Sequence, residues 1–157
     1  MQERFQYSKA YPEAYKAMLA LSQAVEKTGL TPQLINLVNY RVSQLNSCAF
    51  CLDMHSKDLR ARGETEQRLY MISAWREAPH LYSDRERAAL AWAEAVTRLE
   101  DGRVSDEVYE IARQEFSQAE LVQLTLAIVV INGWNRFNVA FRTPAGNYKS
   151  AIARKAG

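Results

Sequence analysis

Residues 117–141 read SQAELVQLTLAIVVINGWNRFNVAF, and this stretch decides the fold class. Ser117 followed three residues later by Glu120 is the capping-box pattern that marks the start of a helix. The residues after it are apolar on most faces, which is typical of a helix that is covered on several sides. We therefore predict one long helix, from Leu121 to about Phe141, at the centre of a helical bundle or in a subunit interface.

The rest of the chain also repeats its apolar residues at helical spacing, between six glycines and four prolines. Ser83 with Glu86 forms a second capping box, and Thr31-Pro32 places a capping residue before a proline that suits a first helical turn. Helices are predicted to start near Tyr11, Thr31, Ser47, Glu64, Ser83 and Ser105. The inward stripe of the first is predicted at Tyr11, Ala14, Tyr15, Met18, Leu21 and Val25. The predicted fold class is all-α, a bundle of about six to seven helices.

The composition fits a single domain over residues 1–157. Charged residues make up 24% and hydrophobic residues 48%, with 20 Lys plus Arg against 18 Asp plus Glu. These values exclude a disordered chain and the basic footprint of a nucleic-acid-binding protein. We expect a core over about residues 30–141 and a basic segment at 143–157 that is a frayed tail or a short terminal helix.

A membrane span is not expected. The most apolar segment, residues 121–131, is interrupted by Gln123 and Thr125 and is shorter than the roughly 20 apolar residues that a span requires. The N-terminal residues lack the apolar region of a secretion signal. We expect a soluble cytoplasmic protein with no membrane and no nucleic-acid partner.

Both cysteines of the chain lie in one short motif, Cys48-x-x-Cys51-x-x-x-His55. On a helix, Cys51 stands three residues from Cys48 and four from His55, so that the three side chains share one face. In a reducing cytosol, a C-x-x-C pair points to redox or metal chemistry rather than to a permanent cross-link. The motif therefore predicts two thiols that form a disulfide and an imidazole that moves protons.

The helix and the histidine are expected to activate these thiols. With Ser47 as the predicted cap, the helix N-terminus favours a thiolate at Cys48, and His55 can accept the proton of Cys51. A peroxide would oxidise the attacking thiolate to a sulfenic acid, which the second thiol condenses with to form a disulfide. The sequence leaves open which thiol attacks.

Two other interpretations use the same residues. Free cysteine packs like a small hydrophobic residue, so the pair can be part of an ordinary core. A structural zinc site with both cysteines and His55 needs a fourth ligand, for which His80 or Asp53 is available. A third interpretation concerns His55 alone, as a buried histidine that caps a backbone carbonyl. None of the three explains the pair and the histidine together as simply as redox chemistry does, so we expect no metal and no cofactor.

Three segments carry a resemblance to a known family. Residues 41–55, with the full C-x-x-C-x-x-x-H motif, resemble the active-site segment of the alkylhydroperoxidase D-like branch of the carboxymuconolactone decarboxylase family. Residues 86–97 are similar to the next long helix of that branch, and residues 131–137 are similar to its C-terminal Asn-x-Trp-Asn-Arg signature. The resemblance extends over about residues 30–141.

The resemblance implies an all-helical fold, a homotrimer or homohexamer, and thiol-dependent peroxidase activity. Cys48, Cys51 and His55 would be the catalytic residues, with a hydroperoxide as substrate and a dithiol as reductant. One alternative is a lyase of the carboxymuconolactone decarboxylase type, whose branch needs no redox cysteines. Another is a non-enzymatic redox sensor on the same scaffold.

The proton relay of this branch also contains a glutamate twelve residues before the first cysteine, and Asn36 stands there in this chain. Asparagine forms hydrogen bonds but accepts no proton at neutral pH. Glu94, on an otherwise apolar helix face, is a candidate for the missing carboxylate of the relay. The alternative for Glu94 is a salt bridge to Arg41 or Arg136, because buried charges are normally paired.

Overall fold

The computed structural model describes residues 2–152. These residues form eight α-helices, one of them a single turn, and three short 3-10 segments, without any strand. The helices are α1 (Tyr7–Ala10), α2 (Pro12–Glu26), α3 (Pro32–Leu45), α4 (Ala49–Ala61), α5 (Glu66–Met71), α6 (Asp84–Arg98), α7 (Asp106–Glu115) and α8 (Gln118–Phe141). The 3-10 segments are Ile72–Ala74, Pro79–Leu81 and Glu100–Gly102. The all-α prediction is confirmed, with one helix more than expected.

Side-chain caps set four of the predicted helix starts. Ser83 and Ser117 each accept a hydrogen bond from the backbone N–H three residues later, and the glutamate at that position bonds back to the serine N–H. Thr31 caps α3 and Ser105 caps α7 through the same kind of hydrogen bond. Because one such cap stabilises a helix by about 1 kcal/mol, local sequence fixes these four boundaries.

Helix α8 lies at the centre of the bundle, as predicted, and packs against α2, α3 and α6. The main core between α3, α6 and α8 includes Leu34, Val38, Val42, Ala89, Ala93, Leu124, Ile128 and Ile131. Helix α2 approaches α8 closely at Gly133, where a Cβ atom would lie 2.8 Å from Cε of Met18. A Cβ atom at position 133 would therefore require the flexible end of the Met18 side chain to move.

The stripe predicted on α2 is only partly buried. Tyr11 and Leu21 are exposed, whereas Val25 is buried. Trp134 Nε1 donates a hydrogen bond of 2.9 Å to Ser22 Oγ, so a serine occupies the face that α2 turns toward α8. The prediction was wrong for Tyr11 and Leu21 and right for the other four residues, which are buried or half-buried. An apolar pattern does not reveal a contact that a polar side chain such as Ser22 supplies.

Residues 143–152 are neither a frayed tail nor a helix, which corrects the prediction for the C-terminal segment. The N–H of Gly146 donates to Asp53 Oδ2 at 2.9 Å, and Lys57 Nζ donates to the carbonyl oxygens of residues 146 and 148. Tyr148 OH donates to Asp58 at 3.1 Å. This segment therefore runs along α4, while residues 153–157 of the predicted tail lie outside the described residues.

Between residues 2 and 152, no single helix is both long and apolar enough to cross a membrane. Helices α7 and α8 meet that criterion only when they are taken together, as a pair bent by 115°.

Candidate active site

The two cysteines lie at the start of α4 and form a disulfide, with Cα atoms 5.3 Å apart. Cys48 is the N-cap residue of α4, and both side chains are buried. Ser47, the predicted cap, instead has a positive φ of 52°. The N–H of Ser47 donates to Gln44 O and the N–H of Cys48 donates to Ser43 O, which is the Schellman pattern of a helix end. Ser47 therefore ends α3, and Cys48 is the residue that starts α4.

A network of amide side chains ties this turn to α8. Asn46 Nδ2 donates to Asn132 Oδ1 and to Asn135 Oδ1, both at 2.9 Å. Asn135 Nδ2 donates to Ser43 Oγ at 3.1 Å, and Asn135 is 1% exposed. A buried polar network whose members are paired makes a structure rigid. The network therefore holds the disulfide-bearing turn in register with α8.

His55 lies one turn after Cys51, on the buried face of α4. Its Nδ1 is 3.1 Å from Asn36 Oδ1, while Asn36 Nδ2 donates to the carbonyl oxygen of Pro32 at 2.9 Å. The second bond assigns the orientation of the amide, so His55 Nδ1 carries the proton and Nε2 carries the lone pair. The structure thus brings Asn36 together with the histidine.

The imidazole of His55 is neutral at pH 7. Burial lowers its pKa to about 4, although the negative charge of Asp58 opposes this shift. Nε2 is buried, and within residues 2–152 it has no hydrogen-bond partner. Because unpaired buried polar atoms are rare, this one calls for an explanation. Its lone pair is free to accept a proton or a hydrogen bond.

Two cavities adjoin these residues. His55 and Asn36 line the first, a mostly apolar space of about 380 Å³ between α2, α3, α4 and α8. Cys51 lines the second, of about 520 Å³, whose walls include residues of α1 and of the 143–152 segment. Met54 and Trp134 line both cavities, so they form the wall that the sulfur side and the imidazole side share.

The zinc interpretation gains no support from this arrangement. The sulfur atoms of Cys48 and Cys51 are bonded to each other. In the described part of the chain, no group of three His, Cys, Asp or Glu side chains is placed to hold a metal ion.

Glu94 is 3% exposed and belongs to a separate cluster of charges. Its Oε1 accepts hydrogen bonds from Arg41 Nε at 2.7 Å and Trp75 Nε1 at 3.0 Å, and its Oε2 accepts one from Arg76 at 2.6 Å. Burial alone would raise the pKa of Glu94, but these hydrogen bonds together lower it. The structure shows the predicted salt bridge to Arg41, whereas Arg136 bonds to Asn132. Glu94 is therefore a salt-bridge residue here and not a partner of the imidazole.

Replacing Glu94 by glutamine is expected to destabilise the fold by about 3 to 5 kcal/mol, because it leaves Arg41 buried without its counter-charge. The lowered pKa means that the ionised Glu94 stabilises the fold fully above its unfolded pKa and loses this effect as pH falls through the folded pKa. Urea denaturation at neutral and acidic pH measures both effects. The difference between the two proteins should therefore shrink at low pH.

The matched control is Glu110→Gln, which breaks only the exposed ion pair with Arg113. Exposed pairs contribute about 0 to 1 kcal/mol, so this variant should stay close to the unmodified protein. Equal losses in the Glu94 and Glu110 variants would contradict the structural role of the buried pair.

Comparison with known proteins identifies the scaffold. The family model described as the carboxymuconolactone decarboxylase family matches residues 12–95. YdfG of Bacillus subtilis, an uncharacterized protein, is 39% identical over 147 residues, which cover 94% of this chain and 99% of YdfG. The chain belongs to the carboxymuconolactone decarboxylase family. YnjA of Escherichia coli, also uncharacterized, is 33% identical over 120 residues, which cover 76% of this family member and 65% of YnjA.

Solved structures refine the placement within the carboxymuconolactone decarboxylase family. ATU0492 of Agrobacterium tumefaciens, of unknown function and proposed to be an antioxidant defence protein AhpD, has a TM-score of 0.89 and 43% identity over 94% of this chain and 100% of its own. An AhpD core from Ralstonia eutropha gives a TM-score of 0.74 at 19% identity over 89% of this chain and 74% of that one. A structure of the debrominase Bmp8 gives a TM-score of 0.76 at 17% identity, over 94% of this chain and 76% of that one. The last two structures show only that the fold is shared. The family model, ATU0492 and the C-x-x-C-x-x-x-H motif together confirm the AhpD-like branch.

Two residues of this family member's site had no counterpart in the sequence predictions. Asn138 Nδ2 donates to Cys51 Sγ at 3.5 Å, and Tyr7 OH donates to Asn138 Oδ1 at 3.3 Å. One signal was present for the first, since Asn135 and Asn138 stand three residues apart in an apolar helix and thus share a face. Tyr7 precedes the region of family resemblance, and no local pattern connects it to the cysteines.

Proposed function

We propose that this protein is a thiol-dependent peroxidase or disulfide oxidoreductase that reduces hydroperoxides with Cys48 and Cys51 and is recharged by a dithiol. The observation that carries the proposal is the disulfide at the start of α4, beside a cavity and one turn from an imidazole with an unpaired Nε2. A disulfide within one helical turn can open and close with little backbone movement. The antioxidant role proposed for ATU0492 supports the same chemistry.

The reaction starts from the reduced pair. Cys51, which lines the 520 Å³ cavity, attacks the terminal oxygen of the hydroperoxide as a thiolate. The S–O bond forms as the O–O bond breaks, and the departing alkoxide takes up a proton, which gives a sulfenic acid and an alcohol. The Cys48 thiolate then attacks the sulfenic sulfur, the S–S bond forms as the S–O bond breaks, and the departing hydroxide takes up a proton to become water. A dithiol reduces this disulfide by exchange and is itself oxidised.

The cavity walls favour an organic hydroperoxide over hydrogen peroxide. Phe50, Met54 and Trp134 give the space beside Cys51 large apolar surfaces. Apolar walls with few polar groups are typical of sites for small organic ligands. A reductant that opens the disulfide in every cycle suits a reducing compartment such as the cytoplasm.

In this proposal, His55 accepts the proton of the thiol, but it is a weak base. Its Nδ1–H is held by Asn36, so Nε2 is the acceptor that is available to the thiol. Because burial holds the pKa of His55 at about 4, proton transfer from a thiol of ordinary pKa is unfavourable. We expect slow turnover compared with a relative that has a carboxylate at position 36.

Steady-state consumption of cumene hydroperoxide with excess dithiothreitol tests the proposed function. The reduced protein should consume many equivalents of hydroperoxide per chain, and at most one equivalent when no dithiol is present. Mass spectrometry should then find Cys48 and Cys51 joined. Consumption that does not exceed the background of dithiothreitol alone would overturn the proposal.

A redox sensor is the second candidate, and the neutral Asn36 beside His55 is the observation that favours it. Without a carboxylate in the relay, the pair can be oxidised once and then report its state through assembly or binding. Slow, stoichiometric oxidation without cycling in the same assay would support the sensor. Rapid cycling with added dithiol would exclude it as the main role.

We also propose that the protein assembles as a homotrimer or homohexamer. Val122 and Val129 of α8 are 70% and 54% exposed and lie seven residues apart, on one face of the helix. Exposed apolar residues in such a row are typical of an interaction surface. Light scattering during gel filtration measures the mass, and a monomer at micromolar concentration would contradict this proposal.

A further inference from the structure

Tyr7, Asn138 and Cys51 form a hydrogen-bonded chain that the proposed reaction leaves without a role. Tyr7 OH donates to Asn138 Oδ1 at 3.3 Å, and Asn138 Nδ2 donates to Cys51 Sγ at 3.5 Å. Asn138 is 6% exposed and Cys51 is fully buried. Burying an amide in an apolar helix costs free energy unless the amide is hydrogen-bonded. The bonds to Tyr7 and Cys51 offset this cost for Asn138.

The phenol of Tyr7 fixes which end of the amide faces the sulfur. Its ring lies against Phe137 and Phe141, with centroid distances of 5.1 and 5.5 Å. Burial, together with the nearby Tyr15, raises the pKa of Tyr7 to about 12, so the phenol keeps its proton. The phenol donates this proton in a hydrogen bond to Asn138 Oδ1. The amide nitrogen, with its N–H groups, is therefore the end of the side chain that faces the sulfur.

The N-terminal segment places this phenol. The N–H of Arg4 donates to the carbonyl oxygen of Phe141 at 3.1 Å, and an Arg4 guanidinium nitrogen donates to Ala140 O at 3.1 Å. Phe5 packs on Phe141 with ring centroids 4.7 Å apart. Tyr7 thus reaches Asn138 because residues 4 and 5 hold the segment against the end of α8.

A thiolate at Cys51 needs a donor, because burial disfavours a charged sulfur. Within residues 2–152, the titratable groups that line its cavity carry no positive charge; they are Glu3, Tyr7, Tyr15 and Tyr148. His55, one turn along α4, is buried and neutral. Among the side chains that the structure describes around the sulfur, the amide of Asn138 is the one with an N–H in hydrogen-bond contact.

We propose that Asn138 is a positioning residue that stabilises the Cys51 thiolate through an N–H···S hydrogen bond, and that Tyr7 sets its orientation. The inference deepens the proposed function and rests on it for the catalytic use of that thiolate. When Cys51 loses its proton, the bond from the amide becomes charge-assisted and roughly twice as strong. The donor already lies on the sulfur in the disulfide form, so it is in place when the bond is reduced.

The test measures the pKa of the Cys51 thiol without any peroxide. In reduced Cys48→Ser protein, Cys51 is the only thiol, and the pH dependence of its alkylation by iodoacetamide reports its thiolate fraction. Asn138→Leu removes the donor at similar volume and is expected to raise that pKa by about one unit, a roughly tenfold loss of thiolate below the pKa. Tyr7→Phe should raise it by a smaller step, because the amide remains but loses its fixed orientation.

The internal control is Cys48, measured in reduced Cys51→Ser protein. Asn138→Leu should leave the pKa of Cys48 unchanged, because that thiol lies at the helix N-cap. If Asn138→Leu fails to fold by circular dichroism, Tyr7→Phe decides the question, since it keeps the ring and its packing. An unchanged Cys51 pKa in the folded variants overturns the inference. A shifted pKa in a protein without peroxide turnover would contradict the proposed function and leave the role of Asn138 intact.

Discussion

Replacing Cys51 by serine is expected to abolish the steady-state reduction of cumene hydroperoxide, lowering the rate by at least about a thousandfold. A serine hydroxyl is not ionised at neutral pH and forms no sulfenic acid, so neither the attack nor the disulfide is possible. Cys51 lines the 520 Å³ cavity and has no second thiol to replace it except Cys48. Hydroperoxide consumption with excess dithiothreitol measures the loss.

The Cys48→Ser variant separates attack from resolution. Its Cys51 should still react once, giving a burst of about one equivalent of hydroperoxide and a sulfenic acid that dimedone traps. Ser56→Ala, on the same helix, is the matched control and should keep full activity, because within residues 2–152 the Ser56 hydroxyl bonds only to the backbone carbonyl of Asp53. A burst in Cys51→Ser and none in Cys48→Ser would reverse the roles of the thiols. Full activity in both cysteine variants would contradict the proposed function.

Replacing Asn36 by glutamate is expected to raise the pKa of His55 by about 1 to 3 units and hydroperoxide turnover by at least about tenfold. Asn36 Oδ1 lies 3.1 Å from His55 Nδ1, so a carboxylate there would favour the protonated imidazole. A stronger base at Nε2 accepts the thiol proton more readily. Proton NMR can follow the titration directly, because His55 and His80 are the only two histidines, and His80→Gln assigns them.

The control for this change is Asn36→Gln, which has the length of glutamate but no charge. It should leave the pKa of His55 near 4 and give no gain in turnover. A pKa rise of the same size in both variants would mean that altered burial, and not charge, moves the imidazole. A raised pKa without faster turnover would show that proton acceptance by His55 does not limit the rate.

Contacts within a few residues were predictable from the sequence. The caps at Thr31, Ser83 and Ser117 are local hydrogen bonds, so the residue type and spacing suffice to place them. Ser47 was assigned wrongly because a serine between two helices can end the first or start the second. Only the hydrogen bonds of the turn distinguish the two possibilities. They show that Ser47 ends α3 and that Cys48 is the N-cap residue of α4.

Contacts between distant parts of the chain were not predictable. Tyr7 and Asn138 are 131 positions apart, and Tyr148 and Asp58 are 90 apart, so no periodicity links them. By charge alone, either Arg41 or Arg136 could form the salt bridge with Glu94. Only the packing of the helices determines that Arg41 does. Both chain-terminal segments contribute to the cavity beside Cys51, although the resemblance covered only about residues 30–141.

The disulfide closes a ring of very few residues, since its cysteines are only three positions apart. In the loop-closure account, a cross-link stabilises a protein by restricting the unfolded chain, by roughly 2 kcal/mol for such a ring against about 4.7 for a loop of a hundred residues. Opening the bond therefore returns little chain entropy to the unfolded state. The main core, built by α3, α6 and α8, does not depend on it. The sulfur atoms can thus change oxidation state repeatedly at a cost to the stability of the bundle of roughly 2 kcal/mol, less than half of the loss expected for a cross-link across a hundred residues.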